Sequence, residues 1–237
     1  MARQPEGPPP PPTVQKLRLR YAKRGRLRFA SHRDLARTLE RALRRAQVPM
    51  AFSAGFSPHP KISYANAAPT GSASEAEFLE IGLTERRDPA EVLRALDGAL
   101  PPGLDVLDIV VVDAPGSLAD RLEASEWLIE IPGADPEQLS TAVTSFLAAD
   151  TVTVDRMTKR GLSAVDIRGP VVALAAEGAA LRAVVRTAVP TVRPDDIVAG
   201  LRERGLGQAG TPVAQRLNQG PLSGTTGLGA EVGDPLR

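Results

Sequence analysis

Hydrophobic periodicity constrains the fold most strongly, because it switches along the chain between a strand period and a helix period. The segment KLRLRY alternates strictly, with Leu17, Leu19 and Tyr21 on one face and basic residues on the other, which predicts a β-strand. AKRGRLRFA turns at Arg24 and Gly25 and then resumes the strand alternation with Leu27 and Phe29. SHRDLARTLERALRRAQ has leucines at helical spacing and predicts a helix with Ser31 as its N-cap and Asp34 in its first turn. A strand followed directly by an amphipathic helix indicates a mixed α and β protein.

The elements that follow complete a recognisable order. PMAFSAG and EAEFLEIGL predict strands, DPAEVLRALDGAL predicts a helix, and LDVLDIVVVD predicts another strand. The order β-α-β-β-α-β is that of a ferredoxin-like unit. A similar order begins at SEWLIEIPG, without any repeat of the residues themselves. We therefore predict an α+β fold of two tandem ferredoxin-like sandwiches.

Composition sets the predicted domain limits. Residues 1–13 contain five consecutive prolines, which cannot join a helix or sheet interior, so we predict a disordered leader. The first domain is predicted at 14–113, with the basic helix, and the second at 125–206. Residues 207–237 are rich in Gly, Pro, Ser and Thr and show no sustained period, so we predict a disordered tail.

Several classes of protein are excluded by what the sequence lacks. The chain has no cysteine, which removes disulfides, thiolate nucleophiles and cysteine-bound metal centres. No stretch approaches the roughly 20 apolar residues of a membrane helix, and the start of the chain lacks a signal-peptide core. Phosphate-loop, dinucleotide-binding and nucleophile-elbow motifs are also missing. We expect a cytoplasmic protein without membrane contact, cofactor or metal.

Positive charge is concentrated near the start of the chain, although the formal net charge of the whole is only +1. Residues 14–45 contain twelve Lys or Arg and two acidic residues, a local net charge of +10. Such a surface can follow the phosphates of a nucleic acid. The predicted nucleic-acid-binding residues are Lys16, Arg18, Arg20, Arg33, Arg37, Arg41, Arg44 and Lys61.

A solubilising surface is the alternative interpretation of the same basic residues. A solubilising helix normally intersperses Glu for ion pairs at i,i+4 spacing, and this segment holds few. Aromatic residues make up 3% of the chain, and no RRM-type motif occupies its strands, so base stacking is a weak expectation. We therefore expect recognition of the nucleic-acid backbone and shape.

The two histidines, His32 and His59, are weak catalytic candidates. Together with Asp34, Glu75 and Glu77 they could form a metal or acid–base site if the helix start and the later loop meet. The interpretation we favour leaves His32 exposed or in a polar contact at the helix start. It leaves Glu75 and Glu77 on a solvated strand face.

A second basic cluster lies in DRMTKRGLSAVDIRG. It predicts a β-hairpin closed by Lys159, Arg160 and Gly161, with Arg–Asp pairs lying across its strands. A salt-bridged hairpin and a functional one fit these residues equally well.

Three blocks of the first domain resemble the radical SAM-linked protein family, a domain of unknown function. They are GRLRFASHRDL at 25–35, GFSPHPKISYA at 55–65, and GSASEAEF at 71–78. The hairpin is similar to a further family block, matched by Lys159 or Arg160, Gly161, Asp166 and Arg168. NAAPTG departs from the family form of that loop. The resemblance, over about residues 14–205, implies a domain fused to or encoded beside a radical SAM enzyme, which would carry the iron–sulfur cysteines.

The leading hypothesis is a non-catalytic accessory module that binds RNA and presents it to a radical SAM partner. A stiff, proline-containing loop between the predicted strands PMAFSAG and EAEFLEIGL would serve as a docking loop, formed by Gly55, Phe56, Pro58, His59, Pro60 and Lys61. The alternative is a protein-interaction module that docks on an acidic face of the enzyme without RNA. An enzyme using His32, Asp34, His59, Glu75 and Glu77 is a distant third.

Overall fold

The computed structural model describes residues 10–113, 116–158, 161–224, 227 and 229–236, and it divides into two compact units. Unit 1 holds the described residues of 1–70 and 75–120, with Leu236, and unit 2 holds 71–74 and the described residues of 121–235. The described residues form an α+β protein with four α-helices. Most of the predicted leader, residues 1–9, lies outside the described residues.

Unit 1 contains the predicted order β-α-β-β-α-β. Its elements are β1 (Gln15–Lys23), a 3₁₀ helix (Gly25–Phe29), α1 (His32–Arg45), β2 (Ile62–Ala65), β3 (Ala73–Leu83), α2 (Pro89–Asp97) and β4 (Leu104–Val111). The sheet has the order β4-β1-β3, with β2 antiparallel to β3. Leu17 and Leu19 of β1 belong to the same buried cluster as Leu35 and Leu39 of α1. This packing leaves the opposite side of α1 exposed to solvent.

Two predicted strands of unit 1 differ in the structure. GRLRF forms the 3₁₀ helix, because Gly25 takes a left-handed conformation with φ +56° and turns the chain out of the sheet. PMAFSAG makes only isolated bridges, at Met50 and Phe52, because it starts with a proline that cannot donate to a ladder. The strand that pairs with β3 is β2, inside the segment predicted to be a loop.

Unit 2 repeats this order with a hairpin inserted. Its elements are β5 (Ala124–Glu130), α3 (Pro136–Ala148), β6 (Thr153–Thr158), β7 (Gly161–Asp166), β8 (Val171–Glu177), β9 (Ala180–Arg186), α4 (Pro194–Arg202), β10 (Val213–Gly220), β11 (Leu222–Ser223) and β12 (Glu231–Val232). The main strands have the order β10-β5-β9-β8, while β6 pairs with β7 and β11 with β12. At the start of β3, Ala73 and Ser74 pair in parallel with β10.

The prediction of a disordered tail is wrong for residues 213–220, which form β10 beside β5. The strand lacks a run of apolar residues, and polar contacts stabilise it instead. Buried Arg216 donates to Gln219 Oε1 at 3.2 Å and to Ser74 Oγ at 3.3 Å, and its guanidinium lies 5.5 Å from the ring centre of Trp127. Tertiary contacts thus override a composition that is typical of loops.

Within the described part of the chain, every helix is too short or too polar to cross a lipid bilayer.

Candidate nucleic-acid interface

The helix α1 presents one continuous row of cations. Ser31 caps it by accepting a hydrogen bond from the Asp34 backbone at 3.2 Å, as the sequence predicts. Leucines on one side of the helix are buried, so the arginines on the other side are exposed. We call this set the arginine face: Arg33, Arg37, Arg41, Arg44 and Arg45.

The arginine face has no acidic partner among the residues that the structure describes. No ion pair there involves any of its five members. The hydrogen bond from Arg41 to the hydroxyl of Thr38, at 3.1 Å, leaves the positive charge uncompensated. The whole face is therefore available to an anionic ligand.

The strand arginines, by contrast, are engaged within unit 1. Arg18 is buried, with 3% of its surface exposed, and donates to Glu80 at 2.8 Å and to the Gly116 carbonyl at 2.7 Å. Arg20 donates to the Glu75 carbonyl at 2.7 Å. These contacts differ from the expected exposed row of cations on β1, and they leave Arg18 no access to a phosphate.

The residue after β1 is engaged in the same way. Arg24 contacts Glu75 Oε1 and Asp105 Oδ2, both at 2.7 Å. The hydrogen bond to Glu75 raises the pKa of the Arg24 guanidinium above its ordinary value. Arg18, Arg20 and Arg24 of the basic block are therefore engaged within unit 1, whereas the arginines of α1 have no acidic partner among the described residues.

Glu77 corrects the expectation of a solvated carboxylate face on β3. Its exposed fraction is 1%, and it accepts from the Ala68 backbone N–H at 3.2 Å. Buried Lys23 donates to the carbonyls of Ala68 and Pro69, both at 3.3 Å. A buried acid and a buried base thus fasten the same loop, which explains why neither side chain faces solvent.

Two of the predicted phosphate ligands do meet. Lys16 and Lys61 line one cleft of about 310 Å³, together with Thr13, Ser63 and Glu80. Lys61 Nζ lies 3.2 Å from the Thr13 hydroxyl. Both lysines are exposed, so the cleft can receive an anion.

The predicted docking loop is closed at its base by backbone contacts. The Ser53 backbone N–H donates to the His59 carbonyl at 2.8 Å, and the His59 backbone N–H donates to Ser53 Oγ at 3.0 Å. Phe52 also forms a β-bridge with Pro60. Gly55, with φ +130°, makes a turn that other residues rarely adopt. The base is fixed and the residues 54–59 are exposed, as a docking loop requires.

The exposed rings of Phe29 and Phe52 are a feature that sequence reasoning missed, whereas Phe56 was already a docking-loop residue. Of the five phenylalanines in the chain, three are exposed, at 59% for Phe29, 42% for Phe52 and 70% for Phe56. The guanidinium of Arg28 lies 4.6 Å from the ring centre of Phe29. Overall aromatic content could not reveal this. The usable signal was the position of Phe56 in a segment without hydrophobic periodicity.

The weak catalytic candidates do not form a cluster. His32 packs edge-on against Tyr64 with 4.9 Å between ring centres, and Asp34 accepts from the Ser31 hydroxyl. His59 lies in the docking loop. Among the described residues, no group of three or more His, Asp or Glu side chains is arranged to hold a metal ion.

Tyr64 has an unusual environment in unit 1. Its hydroxyl is buried and finds no hydrogen-bond partner among the residues described. Burial raises the pKa of the phenol, and the charge of Glu40 raises it further. The phenolic hydroxyl therefore keeps its proton. The ring is part of the packing under α1.

The second basic cluster forms the predicted hairpin of β6 and β7 in unit 2, although Lys159 and Arg160 lie outside the described residues. The expected Arg–Asp pairs across its strands are not observed among the described residues. Arg156 pairs instead with Asp196 of α4, and Asp166 accepts from the backbone of Val152 and of Arg168, both at 3.0 Å. The pairing secures the hairpin to α4, so these side chains are structural.

Comparison with known proteins places the chain in a family. No curated protein matches it. Among solved structures it is similar to an unknown protein from Galdieria sulphuraria, at 16% identity and a TM-score of 0.27, covering 85% of this chain and 98% of that one. A family model described as "Uncharacterized protein conserved in bacteria (DUF2344)" matches residues 16–194. Because this match covers most of the chain, the protein belongs to the DUF2344 family.

Proposed function

We propose that this protein is a non-catalytic accessory module that binds RNA through the arginine face of α1. The observation that carries the proposal is the absence of acidic partners for that face among the described residues, whereas Arg18 and Arg24 of the same basic block have them. Unpaired, solvated guanidinium groups in a row are the arrangement that binds phosphates most readily.

The spacing of the arginines supports contact with successive phosphates. Arg37, Arg41 and Arg44 are separated by four and three residues, so they lie on successive turns of one side of the helix. The helix has 14 residues and is therefore about 21 Å long. Lys16 and Lys61 add a second cationic position in unit 1, in their shared cleft.

The exposed phenylalanines favour single-stranded RNA over duplex RNA as the ligand. Bases of single strands stack on aromatic rings, whereas the bases of a duplex are already stacked on one another. Phe29 lies three residues before the start of α1, and Phe52 and Phe56 lie in or next to the docking loop. This revises the expectation of pure backbone recognition that the aromatic content favoured.

The second part of the proposal concerns the partner. The sequence resembles radical SAM-linked proteins, which implies a radical SAM enzyme beside this chain. Iron–sulfur clusters are held by cysteine thiolates, and this chain has none. In this proposal the partner carries the cluster and the chemistry, and this chain holds the RNA.

We also propose that each unit is a ferredoxin-like sandwich. The strand order β4-β1-β3-β2 in unit 1 supports this, and so does the order β10-β5-β9-β8 in unit 2. In both units the two helices follow the first and third of these strands in chain order.

The test compares two variants with equal loss of charge. One changes Arg33, Arg37, Arg41 and Arg44 to Ala, and the other changes four exposed arginines elsewhere, Arg86, Arg94, Arg186 and Arg202. Binding of a labelled single-stranded RNA of about 20 nucleotides is measured by fluorescence anisotropy. We expect the first variant to lose about tenfold or more in affinity and the second less than about threefold.

Equal losses in the two variants would contradict the proposal, because overall charge would then account for binding. A second outcome is a wild type that binds no RNA but forms a complex with the radical SAM enzyme. If the first variant loses that complex, the protein-interaction alternative replaces the RNA-binding proposal.

A further inference from the structure

We infer that a groove at the C-terminal end of the arginine face receives one unstacked base of single-stranded RNA. The inference rests on the proposed function and specifies the ligand of the same site. The groove lies entirely within unit 1, between the last turns of α1 and the segment 48–60 that follows it.

The size and lining of the groove suit a small planar ring. Its volume is about 270 Å³, just below the range of about 300–1,000 Å³ for drug-sized ligands, as suits one base. Leu43, Val48, Met50 and Phe52 form apolar walls. A helix of a partner protein would need a longer groove, since it inserts side chains from several turns.

Phe52 supplies the stacking surface. Its ring lines the groove and is 42% exposed, so it is accessible without rearrangement. The backbone around it is fixed, because the Ala51 N–H donates to the Gly82 carbonyl at 2.7 Å and Phe52 itself forms the bridge with Pro60. Because this backbone is fixed before binding, stacking a base on the ring costs no conformational entropy of the backbone.

The rim supplies polar groups for the edge of a base and for its phosphate. Glu40 offers a carboxylate, which accepts hydrogen bonds from the exocyclic amino group of cytosine or adenine. Uracil has a carbonyl oxygen at the position of the cytosine amino group and is repelled by the same carboxylate. Gln47 offers both a donor and an acceptor.

Arg44 connects the groove with the arginine face. It lines the groove and is also a member of the row of unpaired cations on α1. A strand whose phosphates follow that row reaches the groove at Arg44, where one base can turn inward. This charge complementarity selects a nucleotide over an uncharged apolar ligand as the occupant.

The test uses short labelled RNAs of cytidine, adenosine or uridine only, and a duplex RNA of the same length. The variants are Phe52→Ala, which removes the stacking ring, and Glu40→Gln, which keeps the shape and removes the charge. Leu107→Ala is the matched control, since it removes an apolar side chain of unit 1 that is 39% exposed and does not line the groove. Thermal unfolding of each variant, followed by circular dichroism, checks that it folds.

We expect Phe52→Ala to weaken binding of the cytidine strand by about tenfold and to leave duplex binding unchanged. The wild type should prefer cytidine and adenosine strands to uridine, and Glu40→Gln should reduce that preference, whereas Leu107→Ala should leave both the affinity and the preference unchanged. If the wild type binds single strands but Phe52→Ala binds them equally well, the groove is not the base site, although RNA binding stands. A wild type that binds no RNA overturns both the groove and the proposed function. An apolar peptide that binds the wild type and is not displaced by cytidine RNA would identify a different occupant.

Discussion

Arg18 and Glu80 form an ion pair across the neighbouring strands β1 and β3, with 2.8 Å between Arg18 Nε and Glu80 Oε2. Their side chains are only 4% and 17% exposed, so the pair belongs to the interior of unit 1. A cation that charge counting assigns to a ligand-binding surface thus stabilises the sheet. Under the proposed function, the phosphate contacts of the basic block therefore fall to the arginine face of α1 and to exposed Lys16, and Arg18 makes none.

This pair gives the first prediction. Glu80→Ala leaves the buried Arg18 guanidinium without its counter-charge, so the free energy of unfolding should fall by about 3 kcal/mol. Urea denaturation measures the change. The control is Glu85→Ala, which breaks the exposed pair with Arg87 and should cost less than about 0.5 kcal/mol. Similar losses in both variants would show that Arg18 is solvated after all.

The second prediction concerns the loop fastened by Glu77 and Lys23. Glu77→Ala removes the acceptor of the buried Ala68 N–H, which should cost about 2 kcal/mol and speed proteolysis within residues 66–71. Glu77→Gln retains an acceptor oxygen and should therefore lose less stability. Urea unfolding and limited proteolysis of both Glu77 variants measure these effects. Unchanged cleavage of that loop in Glu77→Ala would contradict the role assigned to the carboxylate.

The third prediction concerns pH. Burial raises the pKa of Tyr64, so above about pH 10 the unfolded chain loses the phenolic proton first and the free energy of unfolding falls as pH rises. In Tyr64→Phe, the free energy of unfolding should not show this fall at high pH. At about pH 7 it should be as stable as the wild type or up to about 1 kcal/mol more stable, because the buried hydroxyl has no partner among the described residues. The difference in free energy of unfolding between Tyr64→Phe and the wild type should be larger at about pH 11 than at about pH 7. A smaller difference at about pH 11 would contradict the raised pKa of Tyr64.

The fourth prediction concerns β10. A chain that ends at residue 206 lacks the strand that pairs with β5, so Trp127, the only tryptophan, should become exposed. Its fluorescence emission should shift to longer wavelength, and cooperative unfolding of unit 2 should be lost. A chain that ends at residue 224 keeps β10 and serves as the control, with Trp127 still buried. Identical spectra for the two shortened chains would mean that β10 is dispensable.

Local signals made much of unit 1 predictable. Ser31 before a leucine stripe identified α1, and Asp88 before a proline identified α2, which it caps by accepting from the Ala90 N–H at 3.1 Å. The unpredicted features depend on distant partners. Arg18 and Glu80 are 62 residues apart in the sequence, and the strand around Arg216 owes its burial to Trp127 and Ser74. No window of local sequence contains both members of such pairs.

The candidate site shows the same division. The arginine face follows directly from helical spacing, because residues three and four apart share a side of the helix. The groove beside Arg44 does not, since its walls come from the end of α1 and from an irregular segment around Phe52. Irregular backbone is placed by tertiary contacts such as the Ala51–Gly82 hydrogen bond, which no periodic pattern reveals.

The most direct test of the central claim is the salt dependence of RNA affinity in the wild type and in the variant with Arg33, Arg37, Arg41 and Arg44 changed to Ala. Removing one arginine that neutralises a phosphate should reduce the slope of log affinity against log salt by about 0.7 for a single strand, so removing all four should reduce it by about 3. A slope that falls by this amount would locate the phosphate-binding cations on α1. Equal slopes for the two proteins would contradict the claim that the arginine face binds RNA.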